Sequence, residues 1–256
     1  MHAKEPQPLG FRATDPTNHL DPHDNYAQMH NQSPVFFDSE RELYWVVRND
    51  LIRYINTNPQ IFSSNVELFG GTGIVGYPES VQEIRSRGVG HGDTLITNND
   101  ADSHRAYKEI VQRAFAPRRV LMFETQTQDL AHQLIHAFPE SGEIDFSSQF
   151  AVPLTFTVIC RQLGIEEAML ATFKKWSDSI DVLLSNMAEE EALISAAHDE
   201  LALQQYMLQR CELRRKDPKE DVISDIVTAR FKGERPLNDT ELFGILNQLF
   251  VAGNES

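Results

Sequence analysis

The last five residues, 252–256, have the side chains in this sequence that are best suited to handling protons. Ala252 and Gly253 are small, so a ligand could lie against the backbone of the helix predicted there. Glu255 and Ser256 follow directly, and a carboxyl beside a hydroxyl can pass protons to such a ligand. The alternative interpretation is an ordinary helix end with Gly253 close to its C-terminus.

A second candidate site is formed by His104 and Lys108, which lie one helical turn apart. The helix that carries them is predicted to begin at Asp100, with Pro117 marking its end. Two donors at this spacing, beside an apolar helix face, can bind one anion that lies over that face. The alternative is a solvated helix edge on which both side chains face water.

Composition sets the class of protein. The chain has 256 residues, 41% hydrophobic and 24% charged, which is enough for one large domain or two small ones. A net charge of -15 argues against a nucleic-acid partner, because binding phosphates requires an excess of Lys and Arg. No apolar run approaches the ~20 residues that span a bilayer. Without a membrane span or an apolar signal core, the sequence predicts a cytoplasmic protein.

The only two cysteines are Cys160 and Cys211. Their spacing indicates neither a disulfide framework nor a zinc site. The helix predicted over 146–163 is apolar on almost every side, which is typical of a buried helix. We therefore interpret Cys160 as a core thiol.

Helices dominate the predicted secondary structure, and the C-terminal helix over 237–256 is the clearest. Asn238 and Glu241 have the spacing of a capping box at its start. Its apolar residues recur with helical spacing on one face; they are Leu242, Ile245, Leu246, Leu249, Phe250 and Gly253. Other helices are predicted at 24–31, 49–56, 100–115, 120–137, 165–184, 187–214 and 221–231.

Two other regions complete the expected organisation. Residues 34–37 and 43–47 are aromatic and β-branched runs around a polar turn, which predicts a β-hairpin. Residues 65–99 have only weak helical character and contain most of the glycines, which is typical of a functional loop or of a disordered one. Of these two interpretations, we favour a long loop facing a substrate. Residues 1–21 are expected to form an extended lead-in.

Two motifs resemble those of bacterial cytochrome P450 enzymes, and they follow one another along the chain in the same order as in that family. The run from Asp100 to Val120, DADSHRAYKEIVQRAFAPRRV, resembles the C helix of that family, which typically reads D-x-x-x-H-x-x-x-R-x-x-V-x-x-x-F-x-P-x-x-V. The final AGNES resembles the family's I-helix motif A-G-x-[DE]-[TS]. The resemblance implies a mainly α cytochrome P450 fold, with helices A to I and a small β-hairpin, over nearly the whole chain.

The resemblance also implies roles for individual residues. His104 and Lys108 would bind a haem propionate, although Lys108 replaces the family's Arg and loses its bidentate geometry. Glu255 and Ser256 would deliver protons to the oxygen that reacts at the haem, and Ala252 and Gly253 would line the groove beside it. Trp176, Ile180, Gln248 and Val251 would belong to the substrate pocket.

The family's haem-ligating Cys loop, which lies beyond the I-helix motif, does not occur in this sequence. The E-x-x-R pair that precedes this loop in the family is not matched either, because Glu212 and Arg215 have that spacing but lie before the I-helix motif. Neither Cys160 nor Cys211 matches that loop, so no metal ligand is assigned within 1–256. The expectation is therefore that residues 1–256 are the N-terminal part of a single P450 domain. The remaining ~130 to 160 residues, including the Cys ligand, would follow residue 256.

Two functional hypotheses follow. The first is a haem-thiolate monooxygenase with heme b (iron protoporphyrin IX), which would hydroxylate or epoxidise a hydrophobic small molecule of terpenoid, steroid or aromatic type. It would use dioxygen and electrons from a ferredoxin-type donor with an NAD(P)H-dependent reductase. The second is a haem-free, all-α protein that binds a ligand or another protein.

Overall fold

The computed structural model describes residues 21–38, 43–65, 77–89, 96–97, 100–185 and 188–255. They fall into two compact units, divided between residues 75 and 76. The predicted lead-in over 1–20 therefore lies outside the described residues. The same is true of residues 39–42, which lie between the two runs predicted to form the hairpin.

The first unit contains the predicted hairpin between two helices. Its elements are α1 (His23–Gln32), β1 (Val35–Asp38), β2 (Leu43–Val46) and α2 (Asn49–Thr57). The strands are antiparallel, with Phe36 opposite Trp45, and their rings stack with centroids 6.3 Å apart. The indole N–H of Trp45 donates to the buried carboxylate of Asp38 at 3.1 Å. The hairpin prediction is confirmed.

The second unit is almost entirely helical, as the sequence predicted. Its helices are α3 (Glu79–Arg85), α4 (Ala101–Ala114), α5 (Pro117–His136), α6 (Val152–Gln162), α7 (Leu170–Ser185), α8 (Glu190–Lys216), α9 (Val222–Thr228) and α10 (Asp239–Glu255). Helix α8 packs along α7, α3 and α9, while α6 packs along α10. In the part of the chain that the structure describes, no helix is both long and apolar enough to cross a bilayer.

The predicted apolar face of α10 forms the centre of the core. Leu242, Ile245, Leu246 and Phe250 are fully buried there. The ring of Phe250 packs edge-on against two others, with centroids 5.9 Å from Phe156 of α6 and 5.3 Å from Phe173 of α7. The core thiol predicted at Cys160 is also fully buried in this cluster.

The predicted loop over 65–99 is wrong for residues 79–85, which form α3. Val81 and Ile84 are buried against Leu183 of α7 and against α8, in a second apolar cluster. Tertiary burial therefore stabilises a short helix that its weak local signal did not predict. Residues 66–76, 90–95 and 98–99 of this stretch lie outside the description.

Other boundaries also differ from the prediction. Pro117 is the first residue of α5, because proline is well tolerated in the first turn of a helix. The helix expected over 146–163 begins as a π-helical turn, Ser147–Ala151, and only then continues as α6. The helix expected over 221–231 ends at Thr228, and its last two residues form β3 (Arg230–Phe231), which pairs antiparallel with β4 (Arg235–Pro236).

Candidate functional site

Helix α4 presents His104 and Lys108 away from its buried face. Ala106, Tyr107, Ile110 and Ala114 point into the protein, whereas His104 is half-buried and Lys108 is exposed. Within the described residues, neither the imidazole nor the ammonium group has a hydrogen bond or ion pair with another side chain. Two uncommitted donors one turn apart fit a carboxylate such as a haem propionate.

Tyr107, between these two residues, connects α4 to the first turn of α10. Its hydroxyl donates to Oε1 of Glu241 at 2.5 Å, in a buried hydrogen bond. Burial, and then this carboxylate, raise the pKa of Tyr107 above its usual value, so the phenol remains a donor. The bond limits how far α4 can move relative to α10.

Glu241 is the centre of the network that begins α10. Its amide N–H donates to the side-chain oxygen of Asn238 at 2.8 Å, and its own carboxylate accepts from the Asn238 N–H at 2.8 Å. The predicted capping box is therefore confirmed. Arg235 adds two hydrogen bonds to the carboxylate, each 2.7 Å long. Burial opposes ionisation, but the bonds from Arg235 and Tyr107 outweigh it and lower the pKa of Glu241.

The other end of α10 lies against α6 with little room to spare. A Cβ added at Gly253 would lie only 2.7 Å from Cδ1 and Cγ1 of Ile159, so glycine is what allows this approach. Beside the contact is an open, mainly apolar groove of about 520 Å³. Its walls include Phe115, Leu154, Val158, Ile159, Leu249, Ala252 and Gly253. The role predicted for Ala252 and Gly253 beside a haem stays a prediction.

The two predicted proton donors, Glu255 and Ser256, lie where the described residues end. Glu255 is the last residue of α10, and its backbone is helical, but its side chain lies outside the described part. Ser256 lies outside it altogether. Their roles stay predictions.

The four predicted pocket residues have different environments. Trp176 and Ile180 are buried in the core, where the Trp176 ring packs 5.0 Å from Phe173. Val251 is half-buried against the same core. The amide of Gln248 instead binds residues 96 and 97. Their assignment to a substrate pocket stays a prediction.

Two buried polar residues on α8, Glu200 and Gln204, were not predicted from the sequence. They lie one turn apart on the buried stripe that also includes Ala196, Ala197, Leu203 and Met207. The signal was present: a helix with an apolar stripe interrupted by polar residues at i and i+4 indicates that those residues have buried partners. The partners lie more than 100 residues away, so their identity could not be read from the pattern.

Both cysteines are buried thiols. Burial raises the pKa of Cys160 to about 12, and burial is also the main cause that raises the pKa of Cys211 to about 12. A raised pKa of this kind is typical of a thiol buried in apolar surroundings.

Comparison with known proteins identifies the family. No family model matches the chain. It is 30% identical over 234 residues to the cytochrome P450 YjiB of Bacillus subtilis, a match that covers 90% of this chain and 54% of that protein. It is also 25% identical over 248 residues to 6-deoxyerythronolide B hydroxylase of Saccharopolyspora erythraea, covering 93% of this chain and 58% of that protein.

The fold agrees with these matches. The crystal structure of substrate-free CYP109E1 from Bacillus megaterium superposes with a TM-score of 0.72 at 26% identity, covering 93% of this chain and 58% of that one. The chain therefore belongs to the cytochrome P450 family. It spans little more than half the length of the relatives that it matches.

Proposed function

We propose that this chain forms part of a haem-thiolate monooxygenase, and that His104 and Lys108 bind a haem propionate. The observation that carries the proposal is the pair of uncommitted donors on α4, in a chain of this family. Bound heme b supplies the redox chemistry with dioxygen by which one oxygen atom enters a C–H or C=C bond. The protein supplies orientation, proton donors and exclusion of water.

The propionate site combines two different donors. Lys108 contributes a permanent positive charge on a flexible stem, which is less directional than the fork of an arginine. His104 is half-buried and therefore more restricted in its position. The Tyr107 hydroxyl fixes the helix turn between them through Glu241. This hydrogen bond thus holds in place the turn of α4 that carries both donors.

The C-terminal turn of α10 is the proposed oxygen-handling segment. Ala252 and Gly253 have no large side chains, so the backbone there is open to a small ligand. Glu255 and Ser256 are proposed to hold and transfer protons through their carboxyl and hydroxyl groups. Ser256 supplies the hydroxyl of the more usual threonine without the methyl group that restricts its rotamer.

The proposed substrate is a hydrophobic small organic molecule of terpenoid, steroid or aromatic type. The apolar surroundings of Trp176, Ile180 and Val251 support a hydrophobic substrate, and one relative is named for hydroxylating 6-deoxyerythronolide B. The proposed electron donor is a ferredoxin-type protein with an NAD(P)H-dependent reductase. Dioxygen is the second substrate.

The test uses the complete product of the gene that encodes this chain, expressed with haem. The wild-type protein should show the shifted absorption band of a reduced, carbon-monoxide-bound haem thiolate. Lys108→Glu should bind haem on the order of tenfold more weakly, because it places a carboxylate beside the propionate. Haem transfer to apomyoglobin measures this loss directly.

The matched control is Arg113→Glu, an equal charge change on an exposed residue of the same helix. Arg113 is five residues from Lys108 and so points to a different side of α4. It should leave haem transfer unchanged. Equal haem retention in Lys108→Glu and wild type would disprove the propionate site. Absence of the band in wild type would favour a haem-free, ligand-binding protein.

A further inference from the structure

Side chains from α8 and α10 hold the stretch of chain that precedes α4. We call the described parts of this stretch, residues 77–89 and 96–97, the connecting segment. Apart from α3 it has no regular secondary structure, so its backbone groups depend on partners elsewhere. Several of these partners are side chains more than 100 residues later in the chain.

Gln204 holds the connecting segment at Val89. The amide oxygen of Gln204 accepts the Val89 N–H at 2.9 Å, and the hydroxyl of Thr240 donates to the Val89 carbonyl at 2.7 Å. Gln204 is only 5% exposed. A Cβ at Gly88 would lie 2.0 Å from the same amide oxygen, so this contact requires the glycine.

Gln248 holds the connecting segment at Ile96. Its amide oxygen accepts the Ile96 N–H at 2.9 Å, and its amide nitrogen donates to the Thr97 hydroxyl at 3.1 Å. Both ends of this side chain are therefore occupied.

A buried ion pair strengthens the attachment at α3. Arg85 donates two hydrogen bonds, of 2.7 and 2.9 Å, to the carboxylate of Glu200, which lies one turn before Gln204. The guanidinium group lies 4.7 Å from the centre of the Tyr77 ring. The Tyr77 hydroxyl in turn donates to the Leu183 carbonyl at 2.8 Å. Rigid helices thus hold the segment at both of its described ends.

We propose that Gln204 and Gln248 are positioning residues that place Val89 and Ile96 and thereby set which hydrophobic substrates are accepted. Val89 and Ile96 pack against the same apolar cluster as Leu249 and Val251 of α10. Leu249 also lines the groove beside Ala252 and Gly253. The role in substrate selection rests on the proposed function, whereas the role in holding the segment does not.

The first test measures amide hydrogen exchange at Val89 and Ile96. Gln204→Ala should accelerate exchange at Val89, and Gln248→Ala at Ile96, by roughly tenfold through loss of the hydrogen bond. Gln204→Glu and Gln248→Glu keep an acceptor oxygen and should restore slow exchange. Gly88→Ala should act like Gln204→Ala, because the added methyl group displaces the amide.

Neighbouring positions supply matched controls. Gln205→Ala changes an exposed residue beside Gln204. Asn247→Ala changes a residue beside Gln248 whose amide oxygen has no partner among the described residues. Both should leave exchange at Val89 and Ile96 unchanged. Wild-type exchange rates in Gln204→Ala and Gln248→Ala would overturn the positioning role.

The second test measures substrate selection in the complete, haem-loaded gene product. Imidazole and its phenyl derivative serve as probes, with Kd values taken from the change in the haem absorption spectrum. Gln204→Ala and Gln248→Ala should change the ratio of the two Kd values several-fold, while Gln205→Ala and Asn247→Ala preserve it. Faster amide hydrogen exchange together with an unchanged ratio of the two Kd values would overturn only the role in substrate selection. A wild-type protein without haem would overturn the proposed function, and the exchange test would still decide the positioning role.

Discussion

The two ends of α10 are held by different kinds of interaction. At the N-terminal end, the Glu241 carboxylate joins Asn238, Arg235 and Tyr107 in one hydrogen-bonded network. At the C-terminal end, Gly253 lies against the apolar side chain of Ile159. The N-terminal end, which we call the polar end, is held by directional hydrogen bonds to a charged group. At the C-terminal end, which we call the apolar end, the contact between Gly253 and Ile159 depends on shape.

This difference suits the roles proposed for the two ends. Hydrogen bonds fix the register and rotation of a helix, because they fail if the partners move by more than a fraction of an ångström. Close packing through glycine brings the backbone near a neighbour while leaving no side chain in the way. Helix α10 is thus oriented at its start and kept open at Ala252 and Gly253, where a small ligand is proposed to bind.

The largest effect is expected from breaking the polar end. Glu241→Ala removes the carboxylate shared by Arg235, Tyr107 and the Asn238 N–H, and leaves the buried Tyr107 hydroxyl without its acceptor. Loss of the cap and of a charged acceptor should lower the free energy of unfolding by about 3 kcal/mol. Urea unfolding measures the change.

Glu234→Ala is the control for the polar end, since Glu234 is an exposed carboxylate beside the same short sheet. It should change the free energy of unfolding by less than about 0.5 kcal/mol. A similar loss in both variants would mean that the network around Glu241 contributes no more than an exposed acid.

A smaller effect is expected from filling the apolar end. Gly253→Leu forces a side chain into the space of Ile159, and overpacking of this kind costs about 2 kcal/mol. Ala252→Leu introduces the same side chain at the neighbouring exposed position and should change stability by less than about 0.5 kcal/mol. Urea unfolding of the two variants measures the difference.

A second substitution sharpens this prediction. If the contact with Ile159 causes the loss, then Ile159→Ala should partly rescue Gly253→Leu. The double variant would then be more stable than the sum of the two single effects predicts, by about 1 kcal/mol. Strict additivity would show that Gly253 and Ile159 do not compete for the same space.

The same two ends show what the sequence could and could not predict. Asn238 and Glu241 are three residues apart, so their capping box was visible as a local pattern. The apolar face of α10 was equally visible, because its spacing repeats with the helical turn. Both were confirmed.

Partners distant in sequence were not predictable. Tyr107 lies 134 residues before Glu241, so no local pattern in either helix indicated their hydrogen bond. Ile96 lies 152 residues before Gln248, whose assignment to the pocket therefore missed its binding to the connecting segment. Helix α3 was missed for a related reason, since Val81 and Ile84 become helical by burial against other helices.

The smallest expected effect is a change with pH in the free energy of unfolding, which should differ between variants at the two ends of α10. Because the pKa of Glu241 is lower in the folded protein than in the unfolded chain, its ionisation contributes stability at neutral pH. That contribution is fully present above the unfolded pKa and is lost as the pH falls through the folded pKa. Glu241→Gln has no such titration, so its deficit relative to wild type should narrow between about pH 7 and about pH 3. The loss of stability in Gly253→Leu comes from packing and should stay constant over the same range.

Urea unfolding of the three proteins at both pH values measures these differences. Subtracting each variant's free energy of unfolding from that of wild type cancels the contributions of the other carboxyl groups. A constant deficit in Glu241→Gln would contradict a charged role for the polar end.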